Sequence, residues 1–171
     1  MPEPITHPTP GGYTLIGLPG CGKSTIGVQL AKSLVVPFVD TDITLQADLG
    51  ISLQCYLDKH GIKALRDAET RCVIGLDIAH KVIATGGSVV HSRQAMAHLC
   101  ESSPIVYIEV TFATMIARLG DYSDRGIAAD LSLGLRAMYD ERVRLYAKYA
   151  DRTVNGDRSA PEVLAEICSW G

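Results

Sequence analysis

The chain has no run approaching the ~18 consecutive apolar residues that a membrane-spanning helix requires, and it has no basic surplus. Its 16 lysines and arginines are outnumbered by 19 aspartates and glutamates, for a net charge of −3. A nucleic-acid surface ordinarily needs a cationic excess to neutralise phosphates. Neither a membrane nor a nucleic acid is therefore an expected partner. Paired cysteines are missing too. The five thiols (Cys21, Cys55, Cys72, Cys100, Cys168) are scattered and form no Cys-x-x-Cys. That leaves a zinc site or redox motif unsupported and points to reduced thiols in a cytoplasmic protein. Asparagine occurs once, as Asn155 within Val154-Asn155-Gly156-Asp157, so the Asn-Lys-x-Asp sequence with which GTPases read guanine is absent. Internal repeats, low-complexity tracts and a dividing linker are likewise lacking.

Four of the eight prolines crowd into Met1–Pro10, which carries no apolar run of the kind a signal peptide needs. This segment reads as a short disordered tail. Residues 11–171 are expected to form a single domain, since 171 residues and 18.4 kDa suffice for one core.

From Tyr13 onward, short apolar runs alternate with helical patterns. Tyr13-Thr14-Leu15-Ile16 predicts a strand, and Ser24 to Leu34 carries Ile26, Leu30, Ala31 and Leu34 at helical spacing. Pro37-Phe38-Val39 predicts a second strand ending in Asp40-Thr41-Asp42. Ser52 can cap a helix to about His60, where Gly61 stops it, and a longer helix follows over about 62–79. Val82-Ile83-Ala84 and Ile105-Val106-Tyr107-Ile108 predict buried strands, and Thr153-Val154 a last short one. Helices are expected over about 131–149 and from Pro161 onward. Alternation of this kind implies a parallel sheet with helices on both faces.

Between the first strand and the first helix lies Gly17-Leu18-Pro19-Gly20-Cys21-Gly22-Lys23-Ser24, a full match to G-x-x-x-x-G-K-[ST] in its required context. Glycines let successive backbone N–H groups face phosphate oxygens, and the helix N-terminus adds partial positive charge. Lys23 is placed to reach the β- and γ-phosphates and the Ser24 hydroxyl to ligate Mg²⁺. The short chain favours a small-molecule kinase over a motor ATPase. Such an enzyme needs an acceptor site and a lid that excludes water.

Asp40 and Asp42 follow a predicted strand at the sheet edge where ligands bind. Two apart in extended chain, they should point to opposite sides and serve separate tasks, one toward the metal's water shell and one toward an acceptor hydroxyl. Glu69, three residues after Arg66 on one helix, can fix its guanidinium. Thr85-Gly86-Gly87 lets backbone approach a ligand. Arg118 precedes the polar stretch Gly120–Asp130, and Arg125 lies within it, suited to clamping phosphates. Arg142 and Arg144 read as solvated residues on the next helix.

In this order and spacing, the pieces resemble the shikimate kinase family. They are the phosphate loop, Phe38-Val39-Asp40-Thr41-Asp42, Leu65-Arg66-Asp67-Ala68-Glu69, Ala84-Thr85-Gly86-Gly87, Arg118, Arg125 and Glu141-Arg142-Val143-Arg144-Leu145-Tyr146. The likeness runs from about Tyr13 to the C-terminus. It implies an α/β, three-layer P-loop kinase fold with a five-stranded parallel sheet, a mobile lid near 120–132 and an acceptor-binding region near 40–70. It further implies that ATP is bound by Gly17, Gly20, Cys21, Gly22, Lys23, Ser24 and Thr25, with Arg118 packed on adenine. Mg²⁺ would be held through Ser24 and, by way of water, Asp40. Shikimate would be bound by Asp42, Arg66, Gly86, Gly87 and Arg142, with Lys23, Asp42 and Arg125 catalytic and the protein a monomer.

The chain departs from the family pattern at four places. Ser88 stands where a third glycine is usual, Leu65 where phenylalanine is usual, Arg125-Gly126 where Arg-Pro is common, and Arg144 where proline is frequent. Leu65 and Ser88 fall near the expected acceptor pocket. A kinase for another small hydroxy acid or polyol therefore stands as the alternative, with a catalytically silent nucleotide-binding regulator as a third reading.

Overall fold

A computed structural model describes residues 11–101, 103–120, 127 and 134–170. Five strands form one parallel sheet: β1 (Tyr13–Ile16), β2 (Phe38–Asp40), β3 (Val82–Ala84), β4 (Ile105–Glu109) and β5 (Arg152–Asn155), in the order β2-β3-β1-β4-β5. β1, β3 and β4 are apolar without alternation because helices cover both faces; every residue of β1 and β3 is buried.

Among the described residues, seven helices connect and flank the strands: α1 (Lys23–Leu34), α2 (Thr41–Leu49), α3 (Leu53–Ile74), α4 (Arg93–Cys100), α5 (Phe112–Leu119), α6 (Gly134–Tyr149) and α7 (Ala160–Cys168). A 3-10 turn, Val89–His91, joins β3 to α4. α1 packs on β3 and against α7, while α6 packs on β4 and against the 3-10 turn, which gives the three-layer α/β arrangement. The main core runs from Leu15 and Ile83 in the sheet to Leu30 in α1 and Met96 in α4, each fully buried. No helix among the described residues is long and apolar enough to cross a membrane.

Two expectations need correction. Asp42 does not lie in extended chain. Asp40 ends β2 and caps α2, its Oδ1 accepting from the backbone N–H groups of Asp42 (3.0 Å) and Ile43 (3.3 Å). A carboxylate that satisfies first-turn amides nucleates a helix at once, so Asp42 sits in the first turn. α3 is also shorter than expected, ending at Ile74 before Gly75 instead of near Ala79. The expected stop at Gly61 is there as a break, since this residue has φ 80° and ψ 172° within α3.

α2 and α3 share a smaller core of Leu45, Leu53, Leu65 and Ala68. Leu65 is fully buried there. Placing its side chain in apolar surroundings contributes roughly 2 kcal/mol, and it serves to hold α2 and α3 together. Parallel pairing sets Leu15 and Asp40 each opposite Ala84. The segments after β1, β2 and β3 consequently emerge side by side. β1 sends the chain to one edge and β3 sends it across to β4, so this is a topological switch point, where open α/β sheets bind ligands.

Candidate active site

Gly22 adopts φ 101°, a left-handed conformation that a side chain resists, and from there the chain turns directly into α1. No side chain caps α1 and its first turn holds no acid, so its N–H groups and partial positive charge face the loop. Lys23 is 8% exposed and folds over that loop, its ammonium donating to the carbonyls of Gly17 (2.8 Å) and Leu18 (2.9 Å). The Cys21 sulfur lies 3.6 Å from the same nitrogen.

The Ser24 hydroxyl donates to Asp40 Oδ2 at 2.5 Å. Asp40 thus divides its carboxylate, one oxygen for the α2 cap and the other for Ser24. A hard cation such as Mg²⁺ keeps several waters and takes only one or two protein oxygens beside substrate phosphates. The adjacent Ser24 and Asp40 oxygens fit that role.

A cavity of about 430 Å³ extends from the phosphate loop, lined by Lys23, Ser24, Asp42, Glu69, Gly87 and Arg142 among others. The turn after β3 shapes its floor and is fixed on both sides. The Gly86 N–H donates to Thr41 Oγ1 (2.9 Å), and the Tyr146 hydroxyl donates to the Gly87 carbonyl (2.6 Å). Space is tight here: a Cβ on Gly87 would stand 3.0 Å from an Arg142 guanidinium nitrogen, which would have to shift.

Arg142 is 1% exposed, which corrects its reading as a solvated surface residue. Its guanidinium neighbours that of Arg66, and burial together with Arg142 lowers the Arg66 pKa while Glu141 and Glu69 oppose the change. Two guanidinium groups close enough to influence one another's charge suit a carboxylate ligand. Arg66 does not line the first cavity. It lines an adjoining one of about 510 Å³, with Glu69 and Ser88 forming the wall between them.

Glu69 does more than accompany Arg66. Its Oε2 accepts a hydrogen bond from Ser88, and burial pushes its carboxyl up to about 7 against the opposing influences of Ser88, Arg142 and Arg66. Burial also raises the Asp42 carboxyl, with the Lys23 ammonium opposing and the Asp40 carboxylate adding. Acids raised in this way at a ligand edge are suited to proton transfer.

Arg118 reaches back to the loop, its Nη1 lying 3.5 Å from the Cys21 carbonyl. With Gly20, Gly22 and Thr25 it borders a third cavity of about 250 Å³. Sequence reasoning missed the opposite wall of this cavity, which is Gly156 and Arg158 in the loop after β5. Arg158 is ion-paired with Glu166 of α7. The available signal was the Asn155-Gly156-Asp157 turn after a short strand. Leu65 lines none of these cavities, whereas Ser88 lines two. Arg125 and most of the expected lid lie outside the described residues.

The family model "Shikimate kinase" matches residues 19–170. Shikimate kinase 1 of Erwinia tasmaniensis is 34% identical over 155 residues, covering 88% of this chain and 90% of that protein. Shikimate kinase of Paracidovorax citrulli is 33% identical over 152 residues, 84% and 81% of the two chains. Among solved structures, shikimate kinase from Aquifex aeolicus superposes with a TM-score of 0.80 at 30% identity, covering 92% of this chain and 94% of that one. The Acinetobacter baumannii enzyme, solved in complex with shikimate, shares the fold with a TM-score of 0.82 at 23% identity over 93% and 91%.

Proposed function

The chain belongs to the shikimate kinase family, and from that premise we propose that it transfers the γ-phosphoryl group of ATP to the 3-hydroxyl of shikimate. One observation carries the reading: Lys23 and Ser24 of the phosphate loop share a single cavity with Asp42 and Arg142 of the acceptor side. That shared lining supports reading the cavity as the place where phosphate donor and acceptor meet.

The roles follow from position. Backbone amides of Gly20 to Ser24 and the α1 N-terminus bind the phosphates, and Lys23 exchanges its loop carbonyls for the β- and γ-phosphate oxygens. Ser24 and Asp40 would hold Mg²⁺, which when bound supplies charge neutralisation at the phosphates. Arg142 and Arg66 orient the acceptor through its carboxylate. Asp42 accepts the proton of the attacking hydroxyl as the new P–O bond forms and the bond to ADP breaks. Arg125 would close over the γ-phosphate, and Arg118 and Arg158 would flank the adenine. The protein would act as a monomer in the cytoplasm.

A coupled ADP-release assay with shikimate, quinate and simpler hydroxy acids tests the reading. Release with shikimate supports it. Release only with another acceptor refutes the substrate, and release with none refutes the catalytic role.

A further inference from the structure

The turn after β3 meets the charged groups of the acceptor cavity in chain order. Gly86 abuts Asp42 and Gly87 abuts Arg142, with added Cβ atoms falling 2.6 and 3.0 Å from their polar atoms. Ser88 comes next and hydrogen-bonds Glu69 Oε2. It is 4% exposed. Although Ser88 opens the 3-10 turn Val89–His91, its side chain makes no capping bond there; the hydroxyl is committed to α3 instead. Ser88 and Glu69 both line the acceptor cavity and its neighbour, so their bond lies in the partition between the two.

The charge state of Glu69 is finely balanced. Asp42 on α2 opposes its ionisation, whereas Arg66 on its own helix, Arg142 on α6 and the Ser88 hydroxyl favour it. Burial outweighs each of these and places its carboxyl at about 7. Losing one donor at that balance changes the charge facing the two arginines.

We propose that Ser88 is a positioning residue for acceptor recognition: its hydroxyl holds Glu69 as an anion, fixed where it orients Arg66 and Arg142 toward the substrate carboxylate. This rests on the reading of the first cavity as the acceptor site. Ser88 touches no reacting atom and acts through Glu69.

The test measures kcat and both KM values for native protein and Ser88→Ala between pH 5.5 and 9. The ¹³C carboxyl titration of Glu69 is followed in both without substrate. In native protein the KM for shikimate should rise as pH falls through about 7, the point at which Glu69 protonates. In Ser88→Ala that step should move up by about one pH unit, the size of one charge-assisted hydrogen bond. The KM for shikimate at pH 7 should then increase about 5- to 10-fold, with the KM for ATP unchanged. Ser88→Thr, which restores a hydroxyl, should restore the native profile. Glu69→Gln, which keeps an acceptor for Ser88 but cannot titrate, should abolish the step.

An unmoved Glu69 titration in Ser88→Ala overturns the inference, as does a step that survives in Glu69→Gln. Native protein inert toward shikimate would sink the functional reading instead. The two failures are distinct, because the carboxyl titration is read without acceptor.

Discussion

Gly86 stands so near Asp42 that a methyl group in place of its hydrogen would lie 2.6 Å from the aspartate Oδ1. That atom belongs to the proposed base, so space at Gly86 controls the position of the reacting carboxylate. Gly86→Ala should lower kcat about 100-fold, the scale on which a misplacement near 1 Å acts, while ATP affinity stays native. Steady-state kinetics beside nucleotide calorimetry checks this, and a native kcat would dissociate Asp42 from the chemistry.

Asp42→Asn keeps the side-chain volume and removes the basic oxygen. Turnover should fall about 10²- to 10⁴-fold, the range for loss of a general base, with little change in ATP binding. A variant that turns over normally would rule Asp42 out as base.

Arg142→Lys keeps the charge and loses the two-pronged geometry. We expect the KM for shikimate to rise about 10- to 100-fold, on the order of 1.5–3 kcal/mol for a charge-assisted pair. An analogue lacking the carboxylate should bind native and variant protein alike. Equal penalties for both acceptors would show that Arg142 serves packing and not carboxylate recognition.

Glu69 carries a cost to stability that the sign of its shift makes explicit. Its folded pKa, about 7, lies above the usual value near 4.5, so folding binds a proton more tightly than the unfolded chain does. The resulting destabilisation is absent below about pH 4.5, grows between there and 7, and reaches on the order of 3 kcal/mol above it. Glu69→Gln should therefore raise the Tm, and by more at pH 8 than at pH 5, while weakening acceptor binding. A Tm change independent of pH would contradict the assignment.

Arg125→Ala addresses the proposed closure. It should reduce kcat far more than it weakens shikimate binding, because the guanidinium meets the phosphoryl group mainly as charge develops. Unchanged turnover would refute that role.

The phosphate loop and the strands were legible because their signals are local. Val82–Ala84 is a continuous apolar run and Tyr13–Ile16 is broken only by Thr14, and the loop's chemistry is written in adjacent residues. α2 was not legible. Only Thr41 and Leu45 of its nine residues are buried, so no apolar stripe announces it, and its start depends on the Asp40 carboxylate turning toward two amides. Arg142 looked solvated because an arginine among charged neighbours usually is. Its burial arises from tertiary contact with the β3 turn, which lies far away in sequence. Arg158 escaped for a related reason: parallel pairing of β5 with β4 brings it beside the phosphate loop, and nothing around it in sequence marks that approach. Asp40 holds Ser24 and the first amides of α2 while Asp42 lines the first cavity, and it is a helix cap, not the alternation of a strand, that sets the two apart.

The position of Lys23 determines how affinity for nucleotide is divided between folding and association. An ammonium already resting on the Gly17 and Leu18 carbonyls gave up much of its water when the polypeptide collapsed. The incoming polyphosphate replaces one set of oxygen ligands with another and need not strip a hydrated cation. Dehydration of this charge is thereby assigned to the building of the protein, and capture of the triphosphate becomes an exchange of partners around a preformed cradle.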